Sequence, residues 1–273
     1  MKKITPHLYQ LNLGFVNAFL IEDSPDAADS LVSGTDAAAD LVSGSDAVDG
    51  LVSGTDAADG FVPGLTLVDT GTPGNLSKIF AQLRKGGKDP RDIRRIIVTH
   101  AHTDHSGSAA AISNELNIPV WAHADTARLV EQGRPGEASL QVSPGFRNRL
   151  IYQLFIRRGG NIEAFSIARR LNDGEILPIG GPGRVKVIYT PGHSAGHLAL
   201  FLPADRVLIA ADICVNVSGL DWSTVYEDRE LGRQSILKAA ALDFDKAVFG
   251  HGRPLTNIAN ARLNEKFAPR ANQ

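Results

Sequence analysis

The sequence has one cysteine, one methionine, two tryptophans and an aromatic content of only 6%. A single thiol, Cys214, excludes an intramolecular disulfide framework and fits a reducing compartment. No stretch approaches the roughly eighteen consecutive apolar residues of a membrane-spanning helix. The opening MKKITPHLYQLNLGFVNAFLIED carries two lysines but no uninterrupted apolar run, because Pro6, His7, Gln10, Asn12 and Asn17 break it. It does not read as a secretory signal. The expectations are therefore a cytoplasmic location and no stable membrane insertion.

A strong charge balance is also missing, since the whole chain carries a formal net charge of −2. That total conceals an asymmetry. Residues 31–64 read LVSGTDAAAD LVSGSDAVDG LVSGTDAADG FVPG, a ten-residue unit repeated with few substitutions. Between Asp23 and Gly64 there are nine aspartates and no lysine or arginine, so the rest of the chain carries +7. A cationic body favours anionic ligands through long-range steering. The repeat itself is too short in period for a helical solenoid and lacks the step of a calcium-binding β-roll. It reads as an acidic loop insertion over 24–64, solvated and apart from catalysis, or as an array binding calcium or a partner through its aspartates.

With the insertion set aside, 43% apolar and 21% charged residues are those of an ordinary globular protein, read here as a single domain over 1–273. NAFLIED (17–23) and LTLVDTG (65–71) are strand-like, and the insertion expands the turn between them. A helix follows from Asn75 or Ser77, then a buried strand RRIIVTH (94–100). A helix over about 108–116, a strand at 119–122 and a helix from Asp125 come next. Later, RVKVIYT, HLALFLP, RVLIAAD and AVFGHG read as strands, with a helix over about 228–242 before the last. Strands and helices alternate.

Eight histidines occur in the chain, and THAHTDH packs three of them with an aspartate into six positions: His100, His102, Asp104 and His105. Imidazoles crowded in this way compete for space and titrate near neutrality unless a metal accepts their lone pairs. Zinc suits neutral imidazole nitrogens with a carboxylate and an open position for water. Three further candidates follow strands: His193 in TPGHSAGH, Asp212 in IAADI and His251 in FGHG. Seven ligand-type residues at strand exits are the complement for two metals bridged by one carboxylate.

THAHTDH, PGH, AAD and the terminal GH, together with VDTG, resemble the metallo-β-lactamase-fold hydrolases. The resemblance covers the chain apart from the repeat and residues 134–172. It implies an α/β architecture, an αββα sandwich of two mixed β-sheets with helices on the outer faces. It also implies that His100, His102 and His193 hold one metal, that Asp104, His105 and His251 hold a second, and that Asp212 bridges them. Two divalent ions held in this way would supply a hydroxide able to attack a carbonyl or phosphoryl centre. In that arrangement Asp104 would also receive or shuttle the proton. Asp69 is expected behind the ligands, orienting a histidine through its other ring nitrogen. His197 is either a structural loop residue or a supporting contact, and His7 and His123 are expected at the surface. Zn2+ is the expected metal, with Fe or Mn as alternatives.

Departures from the family narrow the substrate. An aspartate at 212 differs from the cysteine or serine of true β-lactamases. DICVNVSGLDW lacks the Gly-Cys-Gly-Arg type stretch of glyoxalase II enzymes, and Val215 stands where acyl-homoserine lactonases place a tyrosine. Tyr226 and Tyr152 are the substitutes to consider. The expected reaction is hydrolysis of a small ester, thioester or lactone. An iron-dependent sulfur dioxygenase of the same fold, or a metal-stabilised protein that binds through the acidic repeat, are the alternatives. No nucleic-acid partner is expected, and a homodimer is compatible with the sequence.

Residues 134–172 read as a helical cap insertion. Within it, residues 144–170 set the apolar run Leu150 to Ile156 among Arg147, Arg149, Arg157, Arg158, Arg169 and Arg170, against the single acid Glu163. Arg157, Arg158 and Tyr152 are the expected contacts to a substrate with an apolar body and an anionic group. The same pattern fits a hairpin covering the core or a dimer partner, or a basic amphipathic element at a membrane surface.

Overall fold

The structure, a computed structural model, describes residues 1–24, 64–137, 139–157, 160–182 and 184–269. The decapeptide repeat and Arg158 lie outside the described residues. The strands are, in chain order, β1 (Lys2–Lys3), β2 (Leu8–Asn12), β3 (Asn17–Glu22), β4 (Leu65–Val68), β5 (Ile93–Ile97), β6 (Val120–Ala122), β7 (Gln141–Val142) and β8 (Arg169–Arg170). They continue as β9 (Ile176–Leu177), β10 (Val185–Tyr189), β11 (Leu198–Leu202), β12 (Val207–Ala211), β13 (Val215–Asn216), β14 (Leu220–Asp221), β15 (Val225–Tyr226) and β16 (Lys246–Phe249). The helices are α1 (Leu76–Lys85), α2 (Thr103–Ser106), α3 (Ala109–Leu116), α4 (Ala124–Val130), α5 (Phe146–Ile151), α6 (Arg229–Ala240) and α7 (Ala259–Phe267).

Two mixed sheets stack face to face. The first runs β1-β2-β3-β4-β5-β6-β8, antiparallel as far as β4 and parallel beyond it. The second runs β16-β12-β11-β10-β9, with β12 and β16 parallel and the rest antiparallel. Alternation along each strand sorts the side chains into layers. Phe19, Ile21, Val68 and Ile97 point from the first sheet to meet Val187, Leu198, Leu200, Ile209 and Val248 of the second. Leu20, Leu67 and Ile96 face the other way, onto Ile79 and Leu83 of α1 and Ile112 of α3. On the far side Ile188, Phe201, Leu208 and Phe249 pack against Ile236 of α6 and Leu263 and Phe267 of α7. The αββα sandwich expected from the sequence is the observed fold. It also explains why NAFLI and LALFL read as unbroken apolar runs: a strand covered on both faces needs no polar side.

The 134–172 segment is helical over α5 and one wider, π-type turn at Tyr152–Ile156, not as a hairpin. Its C-terminal part returns as extended chain and enters the first sheet as β8, where the Arg169 guanidinium lies 5.0 Å from the Trp121 ring. The glycine pair at 159 and 160 in the sequence disfavours further helix, and the cation over the indole fixes the arginine at the sheet edge. Among the described residues no helix is long and apolar enough to cross a membrane.

Asp23 closes the base of the insertion. Its backbone N–H donates to the Gly64 carbonyl at 3.0 Å, and its carboxylate accepts from Gly64 N at 3.0 Å, Gly180 N at 2.7 Å and the Arg95 guanidinium at 3.2 Å. Both ends of the 25–63 stretch are therefore held at one edge of the sandwich, and the same carboxylate ties the first sheet to the β9–β10 loop of the second. Replacing Asp23 with alanine leaves the buried Arg95 cation without this carboxylate, a loss on the order of 3 to 5 kcal/mol. Thermal denaturation of Asp23→Ala is expected to show a melting point lower by about 10 °C; an unchanged midpoint would remove this pair from the list of structural ties.

Candidate metal centre

All seven candidate ligands come from chain leaving the C-terminal ends of core strands. β5 leads through Val98 and Thr99 to His100, β10 to His193, β12 to Asp212, and β16 to His251. Asp104 and His105 arrive on the short α2, which begins directly after His102 and is held by backbone donation from His105 and Ser106 to the His102 carbonyl, each at 2.9 Å. Ala211, at the end of β12, and Asp69, just after β4, take left-handed φ values of 45° and 59°. Non-glycine residues pay on the order of 1 to 2 kcal/mol for this conformation, and such strain concentrates at sites whose geometry is over-determined.

The structure brings the seven together in three overlapping groups. His100, His102 and His193 form one, His100, His105 and Asp212 another, and Asp104, His105 and His251 the third, each with its ligand atoms within 4.8 Å of one another. His102 Nδ1 lies 3.1 Å from His100 Nε2 and 3.0 Å from His193 Nε2. Asp212 lies between the sets: one oxygen is 3.5 Å from His105 Nε2, the other 3.2 Å from His251 Nε2 and 3.6 Å from His193 Nε2. His251 Nε2 is also 3.2 Å from Asp104. Gly250 makes this approach possible, because a Cβ there would sit 2.1 Å from the Asp212 carboxylate and 2.6 Å from the His105 ring.

The outward nitrogens of four histidines are occupied. His193 Nδ1 donates to the Val225 carbonyl and His251 Nδ1 to the Phe15 carbonyl, each at 2.8 Å. His105 Nδ1 meets Asp69 at 2.8 Å. The Thr99 hydroxyl donates to Asp69 at 2.8 Å and meets His100 Nδ1 at 3.0 Å. Asp69 thus orients His105 directly and His100 through Thr99. These contacts fix each ring so that its remaining nitrogen faces the cluster.

His197 stays outside the ligand groups: its Nε2 accepts the Asp212 backbone N–H at 3.1 Å and its Nδ1 meets the Thr190 hydroxyl at 2.8 Å. Tyr226 is fully buried, with its hydroxyl donating to the Ile213 carbonyl and its ring edge-on to His193, so it faces the protein interior. Tyr152 is half-buried on the cap, and the exposed Arg157 donates to Gln153 at 3.1 Å. Neither is among the groups that converge with the histidines. His123, expected at the surface, is largely covered instead: it stacks on Tyr189 at 4.4 Å and caps α4 by accepting from Asp125 N. Thr99, Gly250 and the carbonyls of Phe15 and Val225 escaped the sequence reading. Only the first two carried a signal there, as immediate neighbours of ligand histidines.

A family model described as the metallo-β-lactamase superfamily matches residues 64–251. The chain belongs to the metallo-β-lactamase superfamily. Among curated relatives of this superfamily member, a probable metallo-hydrolase, YflN of Bacillus subtilis, is 28% identical over 203 residues, covering 68% of this chain and 74% of that protein. The acyl-coenzyme A thioesterase MBLAC2 of Homo sapiens is 25% identical over 130 residues, 46% of this chain and 43% of its own. A B3 metallo-β-lactamase with an active-site glutamic acid shares the fold with a TM-score of 0.61 at 20% identity, covering 97% of this chain and 87% of that one. A metallo-β-lactamase family protein of Thermus thermophilus does so with 0.60 at 20% identity, over 97% and 80%. The chain is accordingly a metallo-hydrolase of this superfamily whose histidine and aspartate groups could hold divalent metal.

The donor set of this superfamily site fits divalent cations on its own physical terms. His105 Nε2 and one oxygen of Asp212 are fully buried with no hydrogen-bond partner, an expensive arrangement unless something between them accepts both. Burial, reinforced by neighbouring imidazoles, holds His100 and His193 well below the ordinary histidine range, so both present lone pairs. Burial also lowers His102, and it drives His197 down to about 3. Around Asp212 the balance reverses. Burial opposes charge on His105, but Asp212, Asp104 and Asp69 outweigh it and push the imidazole up to about 10. Asp212 and Asp104 likewise raise His251 well above its usual value against burial. Both shifts favour the protonated imidazole.

It follows that divalent metal must displace protons from His105 and His251. Between about pH 7 and 9, below the raised His105 value, titrating chelator-treated protein with zinc in weak buffer is expected to release protons. Uptake without release, followed with an indicator dye, would show that these imidazoles are already neutral.

Proposed function

We propose that this chain is a binuclear metal-dependent hydrolase of a small ester, thioester or lactone. The observation that carries the reading is Asp212, one buried carboxylate lying between two groups of histidines. His100, His102 and His193 would hold one ion, Asp104, His105 and His251 the other, and Asp212 both; zinc matches this mixture of imidazole and carboxylate donors, and iron or manganese also fit it. Bound divalent metal supplies Lewis acidity at the scissile carbonyl and a water acidified to nucleophilic strength near neutral pH.

The chain's own groups do the rest. Asp104, with a quarter of its side chain exposed, is the ligand carboxylate nearest solvent in character, and we assign it the proton lost by the attacking water. Asp69, with Thr99, keeps two rings in one tautomer throughout, and His197 holds the backbone of Asp212. The residues around the histidines are otherwise buried, which limits solvent to the open side of the cluster. The cap borders that side: a Cβ on Gly136 would lie 3.2 Å from the His102 ring, and one on Gly160 3.6 Å from the Thr103 hydroxyl. We place the distal, anionic part of the substrate against Arg157, Arg158 and Tyr152 of this cap. The thioesterase relative supports the acyl-transfer class, and an aspartate at 212 supports it over β-lactam hydrolysis.

The test is proton release by the metal-loaded protein across lactones, thioesters, simple esters, phosphodiesters and β-lactams. Turnover is expected on a carboxylic ester, thioester or lactone, falling by about a thousandfold or more in His102→Ala. A fully metallated protein inert to all three would overturn the reading. Excision of residues 26–60 checks the separate idea that the acidic repeat is the working part: Asp23 and Gly64 already meet at the base of that stretch, so kcat/KM is expected within about twofold of the parent. A collapse of turnover in a well-folded deletion variant would move function to the repeat.

A further inference from the structure

The cap helix is dressed for a surface it does not meet within its own chain. No residue of Phe146–Ile156 is buried. Phe146 is 81% exposed, Phe155 77%, Leu154 58% and Leu150 45%, so four of the nine exposed large apolar residues among the described residues fall in this one run. Val217, a fifth, precedes Ser218, whose hydroxyl receives the Arg147 guanidinium at 2.8 Å. A monomer stable in water seldom displays apolar side chains in such a cluster without a partner.

Polar attachments secure the N-terminal end of the helix. Arg147 bonds Ser218, Asn148 accepts from the Thr224 hydroxyl at 3.4 Å, and β7 pairs with β15 at Val142–Val225. These ties hold the segment to the body through its N-terminal end while the phenylalanines and leucines stay in solvent. No acid occurs between Glu137 and Glu163, whereas Arg147, Arg149 and Arg157 are all exposed. A two-fold contact between copies through this face would set those arginines against one another with no carboxylate in the interval to neutralise them. An anionic lipid interface satisfies both features at once, since acyl chains take the apolar side chains and phosphates take the guanidinium groups.

We propose that Phe146–Ile156 docks this protein peripherally on membranes rich in anionic phospholipid. The helix spans about 16 Å at 1.5 Å per residue, enough to lie in the headgroup region without crossing it. Because the segment's flanks pass Gly136 beside His102 and Gly160 beside Thr103, docking brings the open side of the histidine cluster to the lipid interface. The proposal is independent of which bond the cluster cleaves.

The experiment is co-sedimentation of the metal-loaded full-length protein with two kinds of vesicle, phosphatidylcholine alone and phosphatidylcholine with about one third phosphatidylglycerol. Binding is expected on the anionic vesicles only, weakened at least about tenfold by Phe146→Ser with Phe155→Ser, measurably by Arg149→Glu, and by raised salt. Both variants change exposed side chains and are expected to melt with the parent and to turn over a water-soluble substrate at the parent rate. Failure of the parent to bind anionic vesicles, equal binding by the phenylalanine variant, or a dimer seen by light scattering that the phenylalanine variant abolishes would each overturn the proposal.

Discussion

Asp212 is a carboxylate taken out of water and set within 3.2 to 3.6 Å of three imidazole nitrogens, and the surrounding structure is arranged to make that tolerable. A buried charge of this kind costs several kcal/mol unless cations or donors surround it. His197 accepts the Asp212 backbone N–H, the Ser223 hydroxyl donates to its carbonyl, and a glycine at 250 yields the space the carboxylate occupies. The left-handed Ala211 just before it turns the chain out of β12 at the one point where the pairing with β16 slips register. Remove the sandwich and none of these contacts has a fixed partner.

Asp69 plays the corresponding part on the first sheet. One carboxylate accepts the Thr99 backbone N–H and hydroxyl, and through that hydroxyl and directly it governs the tautomers of His100 and His105. The two sheets therefore contribute one buried aspartate each, Asp69 behind the cluster and Asp212 within it. Rigid packing of Phe19, Ile21 and Val68 against Leu200 and Val248 fixes the separation of the two. The chemistry depends on sub-ångström placement, and a dry interdigitated core resists displacement on that scale. Asp23 and Arg95 do similar work at the far edge, where the long repeat leaves and re-enters the sandwich without parting β3 from β4.

Around this rigid frame the periphery is built on different terms. The segment from Gly136 to Gly160 touches the site at both flanks, yet its helix is attached mainly by polar contacts at one end and shows its apolar residues outward. Elements of this kind, with little buried area, open and close at lower free energy than core strands. The part of the chain that the core constrains least is thus the part that borders the open side of the cluster.

Much of this was readable in the residues. THAHTDH, PGH, AAD and GH named the seven convergent side chains because ligand chemistry restricts residue type and because apolar runs mark the strands that deliver them. Those runs also set the layers, since period-two alternation on doubly covered strands leaves few alternatives to a sandwich. Other features had no local signature. Asp69 reaches His105 across 36 positions and His197 reaches Asp212 across 15, so neither partner could be named from spacing. His123 resembled a surface histidine until Tyr189 covered it, and the arginine-rich 144–170 stretch was consistent with a core-covering hairpin until Phe146 and Phe155 proved exposed. Sequence by itself determined which chemical groups this protein owns and which strands carry them. Only the tertiary structure decided which nitrogens face inward, which carboxylate lies between the two groups and which apolar side chains remain outside, because those outcomes depend on contacts between residues far apart in the chain.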